Sequence, residues 1–480
     1  VSFAAPVFIW YFLPAVLMLH WVLPHQARNG VLAVSSLAFY ALGGKQFVFL
    51  LLGVMVVNYG AGLLIGRLKE NPRSLGRWPA DTAVMVGAVV ADLGVLALWK
   101  YAGFASHIVD SLSRNLGLGD TRVVSLALPI GISFFTFHHL SYVIDVHRAS
   151  RPPMRNPLTF MTYIAMFPQL IAGPIVRYHE IADQLQQQKH DKVADFINGF
   201  PRFAWGLFKK VAIADSIARV ADAAFAVDHP STTTAWIGAL AYTAQIYFDF
   251  SGYSDMAIGL GAMFGLRLPE NFNRPYSAVS ITDFWRRWHM SLSRWFRDYL
   301  YVPLGGNRHG TVATYRNLGI VFLTTGLWHG AAWTFVLWGI YHGAWLTLER
   351  ATGIARAEGF VWLRRGLTLL IVIFGWVLFR AKTLTEAGHM ITAMVRPTGS
   401  WHLDPDVAML LTPHRLVLLV ILLLTALLPA TWATGQVIDG LQRTSPRVRL
   451  AVRGTAYALA PYAAIVAVAG TFSPFLYFQF

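Results

Sequence analysis

Apolar residues in this chain run in blocks that no water-soluble fold would need. Residues 3–23, 46–66, 82–100, 233–263, 331–348, 362–379, 414–432 and 454–472 form long, nearly uncharged stretches. About 20 such residues in helical form cross the ~30 Å hydrocarbon core of a bilayer. Shorter or polar-interrupted stretches lie near 31–43, 123–144, 159–176, 203–226 and 313–327. The pattern predicts an all-α polytopic membrane protein with about 11–13 membrane-embedded helices, some of them re-entrant. Charge content agrees: 13% of the 480 residues are charged and 55% are hydrophobic, whereas soluble domains carry about 25% charge. No polar block is long enough to form a separate soluble domain. The first apolar block has no basic stretch before it, so it reads as a retained helix rather than a cleaved signal.

The net charge of +15 comes from 39 Lys and Arg against 24 Asp and Glu. Nucleic-acid binding would need a soluble basic face. Here the cations cluster in short connections, as the positive-inside rule and attraction to anionic lipid require. Arg67, Lys69, Arg73 and Arg77 face only Glu70, and Arg148, Arg151 and Arg155 have no acid beside them. Arg443, Arg447, Arg449 and Arg453 repeat the pattern. These connections are expected on the cytoplasmic side. Residues 401–413, with Asp404 and Asp406 and no Lys or Arg, are expected outside, as are 101–122 and the tail 473–480.

The chain has no cysteine, which removes disulfides, Cys-based metal sites and a thiol acyl-enzyme. There is no G-x-S-x-G nucleophile elbow and no phosphate or dinucleotide loop in a strand–helix setting. His138 and His139 are adjacent and point apart on a helix, so no metal site is expected.

Charged and aromatic residues inside an otherwise apolar region are costly and mark function. Tyr247 to Met256 embeds Asp249 and Asp255, six residues apart and therefore on different helix faces. Each either accepts hydrogen bonds from a neighbouring helix end or lines a polar cavity, and Gly252 is a candidate helix break. Residues 281–300 place Trp285, Trp288, Leu292, Trp295 and Tyr299 at helical spacing. Thr282 or Asp283 is the candidate cap, and Arg286, Arg287, Arg294 and Arg297 lie off the stripe, as in an interfacial amphipathic helix. His289 sits beside that stripe, as either a structural or a catalytic imidazole. Finally, Trp328-His329-Gly330 follows an apolar run too short to cross alone, so a break is expected there. A neutral imidazole at such a break can take a proton from an attacking hydroxyl. His342 is a weaker candidate of the same kind.

Seven blocks together resemble the membrane-bound O-acyltransferase (MBOAT) superfamily, and within it the branch that serves alginate O-acetylation. They are residues 128–134, 167–174, 247–259, 270–276, 284–306, 326–330 and 473–480. The resemblance implies a single integral membrane domain over 1–480, with N-terminal helices to about 120, a catalytic core of about 121–350 and C-terminal helices from 351. It implies a ring of helices around a central funnel in the bacterial inner membrane. His329, in the Trp-His-Gly motif, matches the family's essential histidine, and His289 matches the second. Trp328, Trp288, Asp249, Asp255 and Asn273 are the accompanying candidates for binding or cavity lining. The implied reaction uses no bound cofactor. It moves an acetyl group from cytoplasmic acetyl-CoA toward periplasmic or membrane-anchored acetyltransferase partners acting on an exported polysaccharide. In that scheme His329 is the base and His289 orients the reacting groups or donates to the oxyanion. Arg286, Arg287 and Arg294 attract either CoA phosphates or lipid headgroups. Acetylation of cellulose or another envelope glycan is the alternative, and so is a transporter without chemistry, although no inverted repeat is visible.

Overall fold

The computed structural model describes residues 2–187, 191–396, 401–427 and 446–469. The tail 473–480, the end of the 414–432 block and the start of the basic segment 443–453 lie outside the described residues. The described residues are mostly helical, with almost no strand. Its helices are α1 (Leu13–Val22), α2 (Arg28–Gly44), α3 (Val48–Glu70), α4 (Ala80–Asn115), α5 (Ile132–His147), α6 (Pro157–Ala165), α7 (Phe167–Leu170), α8 (Tyr178–Gln187) and α9 (Lys192–Phe208). They continue with α10 (Asp215–Phe225), α11 (Thr232–Met263), α12 (Ile281–Trp285), α13 (Met290–Phe296), α14 (Gly310–His329) and α15 (Trp333–Thr352). The last are α16 (Val361–Arg380), α17 (Leu384–Val395), α18 (Pro405–Leu410), α19 (Pro413–Leu427) and α20 (Pro446–Ala469). Ser74–Leu75 and Trp78–Pro79 pair as a minimal antiparallel turn between α3 and α4.

Among the described residues, three helical stretches are long and apolar enough to cross a membrane: His25–Glu70, Ala80–Asn115 and Val361–Arg380. That is fewer than the sequence blocks suggested. Several of the remaining helices carry charge, Trp, Tyr or Gly within them, which lowers their hydropathy, and these groups are buried against other helices instead. The 36-residue α4 is longer than the bilayer core requires. It therefore absorbs much of the segment 101–122 expected as a loop, running on to Asn115. Conversely, the 123–144 stretch becomes helical only at Ile132, after Pro129 and the left-handed Gly131 (φ 73°). The 159–176 stretch is broken between α6 and α7, where Pro168 opens the second piece.

Two compact units emerge, neither a single stretch of chain: residues 1–200 with 257–269, and residues 201–256 with 270–480. In the first unit Phe3, Phe8, Phe12, Phe39, Phe167 and Phe264 pack ring against ring. Asn58 donates to Asp92 at 2.7 Å between α3 and α4, so that acid is met inside the protein. The outer face of α4 leaves Val90, Leu93, Leu98, Val109 and Leu112 exposed. That face suits lipid, whose tails are as apolar as these side chains.

Glycines let helices of the second unit approach closely. α14 and α15 form a hairpin in which a Cβ on Gly326 would lie 2.4 Å from the Phe335 carbonyl oxygen, and one on Gly339 would lie 2.5 Å from that of Phe322. Only glycine permits this approach. A Cβ on Gly206 would lie 2.5 Å from the Gly252 carbonyl oxygen in the same manner. Gly252 thus does not break α11, which is continuous through it. Its role is contact with α9.

Candidate active site

His329 is the last residue of α14, and Gly330 leaves the helix in an extended conformation (φ −166°). The break expected at Trp328-His329-Gly330 is therefore present, as the turn of the α14–α15 hairpin. The His329 ring is buried and enclosed by aromatic rings: Trp328 at 4.9 Å, Trp338 at 5.1 Å and Phe379 at 5.1 Å between centroids. Trp328 also lies 6.1 Å from the ring of His289. The two histidines singled out from the sequence thus flank one indole, although 40 positions separate them in the chain.

His289 does not lie on a continuous amphipathic helix, as the Trp spacing had suggested. α12 ends at Trp285, and α13 begins at Met290. His289 caps α13 with φ 44° and ψ 53°, the left-handed region that non-glycine residues seldom occupy. A side chain held in such a conformation must be fixed by its surroundings. The fixing comes from the 270–274 loop. Met290 N–H donates to the Asn271 carbonyl at 2.9 Å, and Asn273 N–H donates to the Arg287 carbonyl at 2.9 Å. These bonds clip the Trp-Arg-Arg-Trp-His turn onto the Glu-Asn-Phe-Asn block. The helix start also differs from expectation. Ser280 caps α12 by accepting from Asp283 N–H, while the Thr282 hydroxyl and amide donate to buried Glu349 at 2.7 and 2.8 Å.

Asn271, not Asn273, makes the side-chain contact with His289. Its Oδ1 lies 3.1 Å from His289 Nδ1, 3.2 Å from Ser291 N and 2.8 Å from Ser291 Oγ. Its Nδ2 donates to Ser254 Oγ on α11 at 3.0 Å. Asn273 instead joins the turn through its backbone. The Phe250 ring stands edge-on to His289 at 4.7 Å. Trp288 lies at the centre of an aromatic cluster with Phe272 at 4.9 Å, Trp376 at 4.7 Å and Phe284 at 5.7 Å. It supports the turn that presents His289.

Asp249 and Asp255 meet cations. Asp255 pairs with Lys209 at 2.6 Å and Arg202 at 3.0 Å, and Arg202 also pairs with Glu270 at 2.5 Å. Asp249 pairs with Lys210 at 2.9 Å, and Lys210 reaches Asp215 at 2.6 Å. Lys209 and Lys210 are consecutive, at the start of a π-helical segment, Lys209–Ala214, between α9 and α10. Adjacent side chains there diverge enough to serve two acids on different faces of α11. These lysines and Arg202 were not legible as partners, since nothing in the sequence places 202–210 against 249–255.

His342 packs among Trp285 at 5.1 Å, Trp338 at 5.1 Å and Tyr341 at 5.2 Å, and its Nε2 would lie 2.6 Å from a Cβ on Gly375. Its place is that of a core residue behind the His329 cage. A cavity of about 510 Å³ is lined by Trp285, Phe322 and Thr325, with Arg286, Arg294 and Arg297 contributing cationic groups.

Residues 118–384 match the model of MBOAT, the membrane-bound O-acyltransferase family. The chain belongs to this family. Among its relatives, the probable alginate O-acetylase AlgI of Azotobacter vinelandii is 44% identical over an alignment covering 100% of both chains. The protein of the same description from Pseudomonas aeruginosa is 47% identical over 84% of this chain and 76% of its own. A peptidoglycan O-acetyltransferase of Helicobacter pylori is 37% identical over 83% of this chain and 80% of its own. The described site residues from Asp249 to His329 all lie within the family match.

Proposed function

We propose that this membrane O-acyltransferase acetylates alginate, with His329 as the base of the transfer and His289 as its partner across Trp328. The observation that supports this reading is the convergence of two buried histidines on one indole. The acceptor is taken from the 44–47% identity to proteins described as alginate O-acetylases. A second reading, with peptidoglycan as the acceptor, is favoured by one specific finding: the 37% identity to a peptidoglycan O-acetyltransferase.

In the proposed reaction, acetyl-CoA presents its thioester from the cytoplasmic side of the inner membrane, which the chain crosses several times, and the acceptor hydroxyl reaches in from outside. His329 takes the proton of an acceptor hydroxyl as its oxygen attacks the thioester carbonyl. The tetrahedral intermediate collapses with cleavage of the carbon–sulfur bond. The proton on the ring then passes to the departing thiolate, so the histidine returns to its starting state. His329 lies in the last turn of α14, at the negative end of the helix dipole. That end complements the charge carried by the ring between the two proton transfers. The aromatic cage excludes water, which would otherwise compete as the acceptor. A periplasmic or membrane-anchored acetyltransferase receives the acetyl group and passes it to the polymer. Asp249 and Asp255 serve by holding α11 through their ion pairs, and Trp288 by supporting the His289 turn.

The test is transfer of radiolabelled acetyl from acetyl-CoA by the purified protein with its partner. His329→Ala is expected to lose at least about a hundredfold in rate, within the 10²–10⁴ range of general base catalysis. A well-folded His329→Ala protein with the wild-type rate would remove the assigned role. Release of CoA in proteoliposomes separates an enzyme from a transporter, which would leave the thioester intact. Competition between alginate and peptidoglycan fragments as acceptors decides the polymer.

A further inference from the structure

We infer that Asn271 is a positioning residue that fixes the tautomer of His289. It holds the proton on Nδ1, so that His289 meets the substrate through an Nε2 lone pair, as a hydrogen-bond acceptor. The inference rests on the reading of His289 as part of the acyl-transfer site.

The orientation of the Asn271 amide is determined by its neighbours. The Ser291 backbone N–H can only donate, and it points at Oδ1 from 3.2 Å. That atom is therefore the carbonyl oxygen, and the opposite end, Nδ2, donates to Ser254 Oγ at 3.0 Å. A carbonyl oxygen facing an imidazole nitrogen at 3.1 Å requires a proton on that nitrogen. In the neutral ring one nitrogen bears the proton and the other the lone pair. Nε2 is thus the acceptor. Of the two roles considered for His289, this leaves orientation of the reacting groups and removes donation: the Nε2 of a neutral ring of this tautomer cannot donate to an oxyanion.

Three elements converge to impose this. α11 supplies Ser254, the following loop supplies Asn271, and the left-handed turn before α13 supplies His289 and Ser291. Asn271, Ser254, Ser291 and His289 are all buried, so water does not compete for the amide. The left-handed backbone at His289 acquires a purpose in this arrangement, because it brings the ring over Oδ1 while Met290 N–H takes the Asn271 carbonyl. The ionisable groups on the surrounding elements are engaged as follows. Asp255 pairs with Lys209 and Arg202, Asp249 with Lys210, Glu270 with Arg202, and Arg287 with Asp283, while Arg294 donates to the Glu270 carbonyl. Arg274, in the same loop, is buried, and His329 is the other imidazole beside Trp328. A neutral amide thus faces Nδ1, where a carboxylate would instead favour the charged imidazolium.

The experiment compares Asn271→Ala and Asn271→Asp in the full chain, purified with its partner, by the pH dependence of acetyl transfer and by thermal unfolding. Asn271→Ala removes the acceptor and is expected to lower kcat about 10–100-fold, by analogy with the loss of the hydrogen-bond partner that orients a metal-bound histidine. Asn271→Asp keeps an oxygen at the same place and is expected to restore kcat at alkaline pH. Its carboxylate stabilises protonated His289, so the acidic limb of the profile moves up by about one pH unit or more. A purely structural asparagine would lower unfolding temperature without moving the limb. A limb in Asn271→Asp superposable on wild type, or a wild-type kcat in Asn271→Ala, overturns the inference. His289→Ala is run beside them. Full activity in that variant overturns the site reading itself. Its loss together with unmoved Asn271 profiles defeats the tautomer assignment alone.

Discussion

The distance between α14 and α15 sets the geometry of the His329 cage, and glycine substitutions can change it in graded steps. His329 projects from α14, while Trp338, which covers its ring, projects from α15 beside Gly339. An alanine at position 339 would place its Cβ 2.5 Å from the Phe322 carbonyl oxygen, a backbone atom that cannot turn aside. Restoring an ordinary contact requires the helices to part by roughly 0.9 Å, and close-packed interiors transmit such a shift. A shift of about 1 Å in the groups that position a reacting side chain can cost about a hundredfold in rate. The stability cost is smaller: overpacking destabilises by about 1–3 kcal/mol, offset by about 1 kcal/mol of helix propensity when Ala replaces Gly. Gly339→Ala is therefore expected to fold, to melt a few degrees lower and to turn over about a hundredfold more slowly. Gly319, also on α14, has nothing within 4 Å of where a Cβ would stand, and a Cβ on Gly343 would meet only the Phe322 side chain, at 3.2 Å. Alanine should be neutral or slightly stabilising at 319 and of intermediate effect at 343. Acetyl-transfer turnover and unfolding temperature, measured in the same detergent, give the series. Equal turnover for the 319 and 339 variants would refute the claim that hairpin spacing sets the cage.

The fold class and the break at His329 were legible in the sequence because each leaves a local mark, whereas His289 was singled out by the family motif that it matches. Uncharged blocks announce membrane helices, and a His–Gly pair after a short apolar run announces a break. What was not legible depended on contacts between distant segments. Regular spacing of Trp285, Trp288, Leu292, Trp295 and Tyr299 argued for one helix, yet the backbone bonds from Asn271 and Asn273 break it at His289. Periodicity reports local preference, and a turn imposed by another segment overrides it. The same holds for Asn271. The Glu-Asn-Phe-Asn block was recognised, but choosing between its two asparagines needed the third dimension. Asp249 and Asp255 were correctly placed on different faces of α11, while their cations came from a π-helical segment that spacing alone would have read as α-helix.

Two ionic features give further expectations. Partial burial pushes the Asp404 carboxyl up, but the hydrogen bond from Ser231 N–H at 3.1 Å and its contact with Thr234 hold it below the usual range. Its stabilising contribution is then complete above the unfolded carboxylate value of about 3.9 and is lost as pH falls through the lower folded value. The unfolding temperatures of wild type and Asp404→Asn should therefore differ at neutral pH and converge in acid; a gap that widens in acid would contradict the assignment. The buried network around Asp255 makes a larger demand. Asp255→Asn keeps the shape of the side chain but leaves Lys209 and Arg202 facing a neutral group, with Glu270 as the remaining acid on Arg202. Removing one partner of a buried ion pair costs about 3–5 kcal/mol, because the other charge stays out of water. That cost belongs mainly to the stranded cation, so removing the cation should recover much of it. Asp255→Asn combined with Lys209→Met is accordingly expected to melt well above the single Asp255→Asn variant. A double variant that melts below the single one would mean that the cost lies in lost packing, and that Asp255 and Lys209 are not a coupled pair.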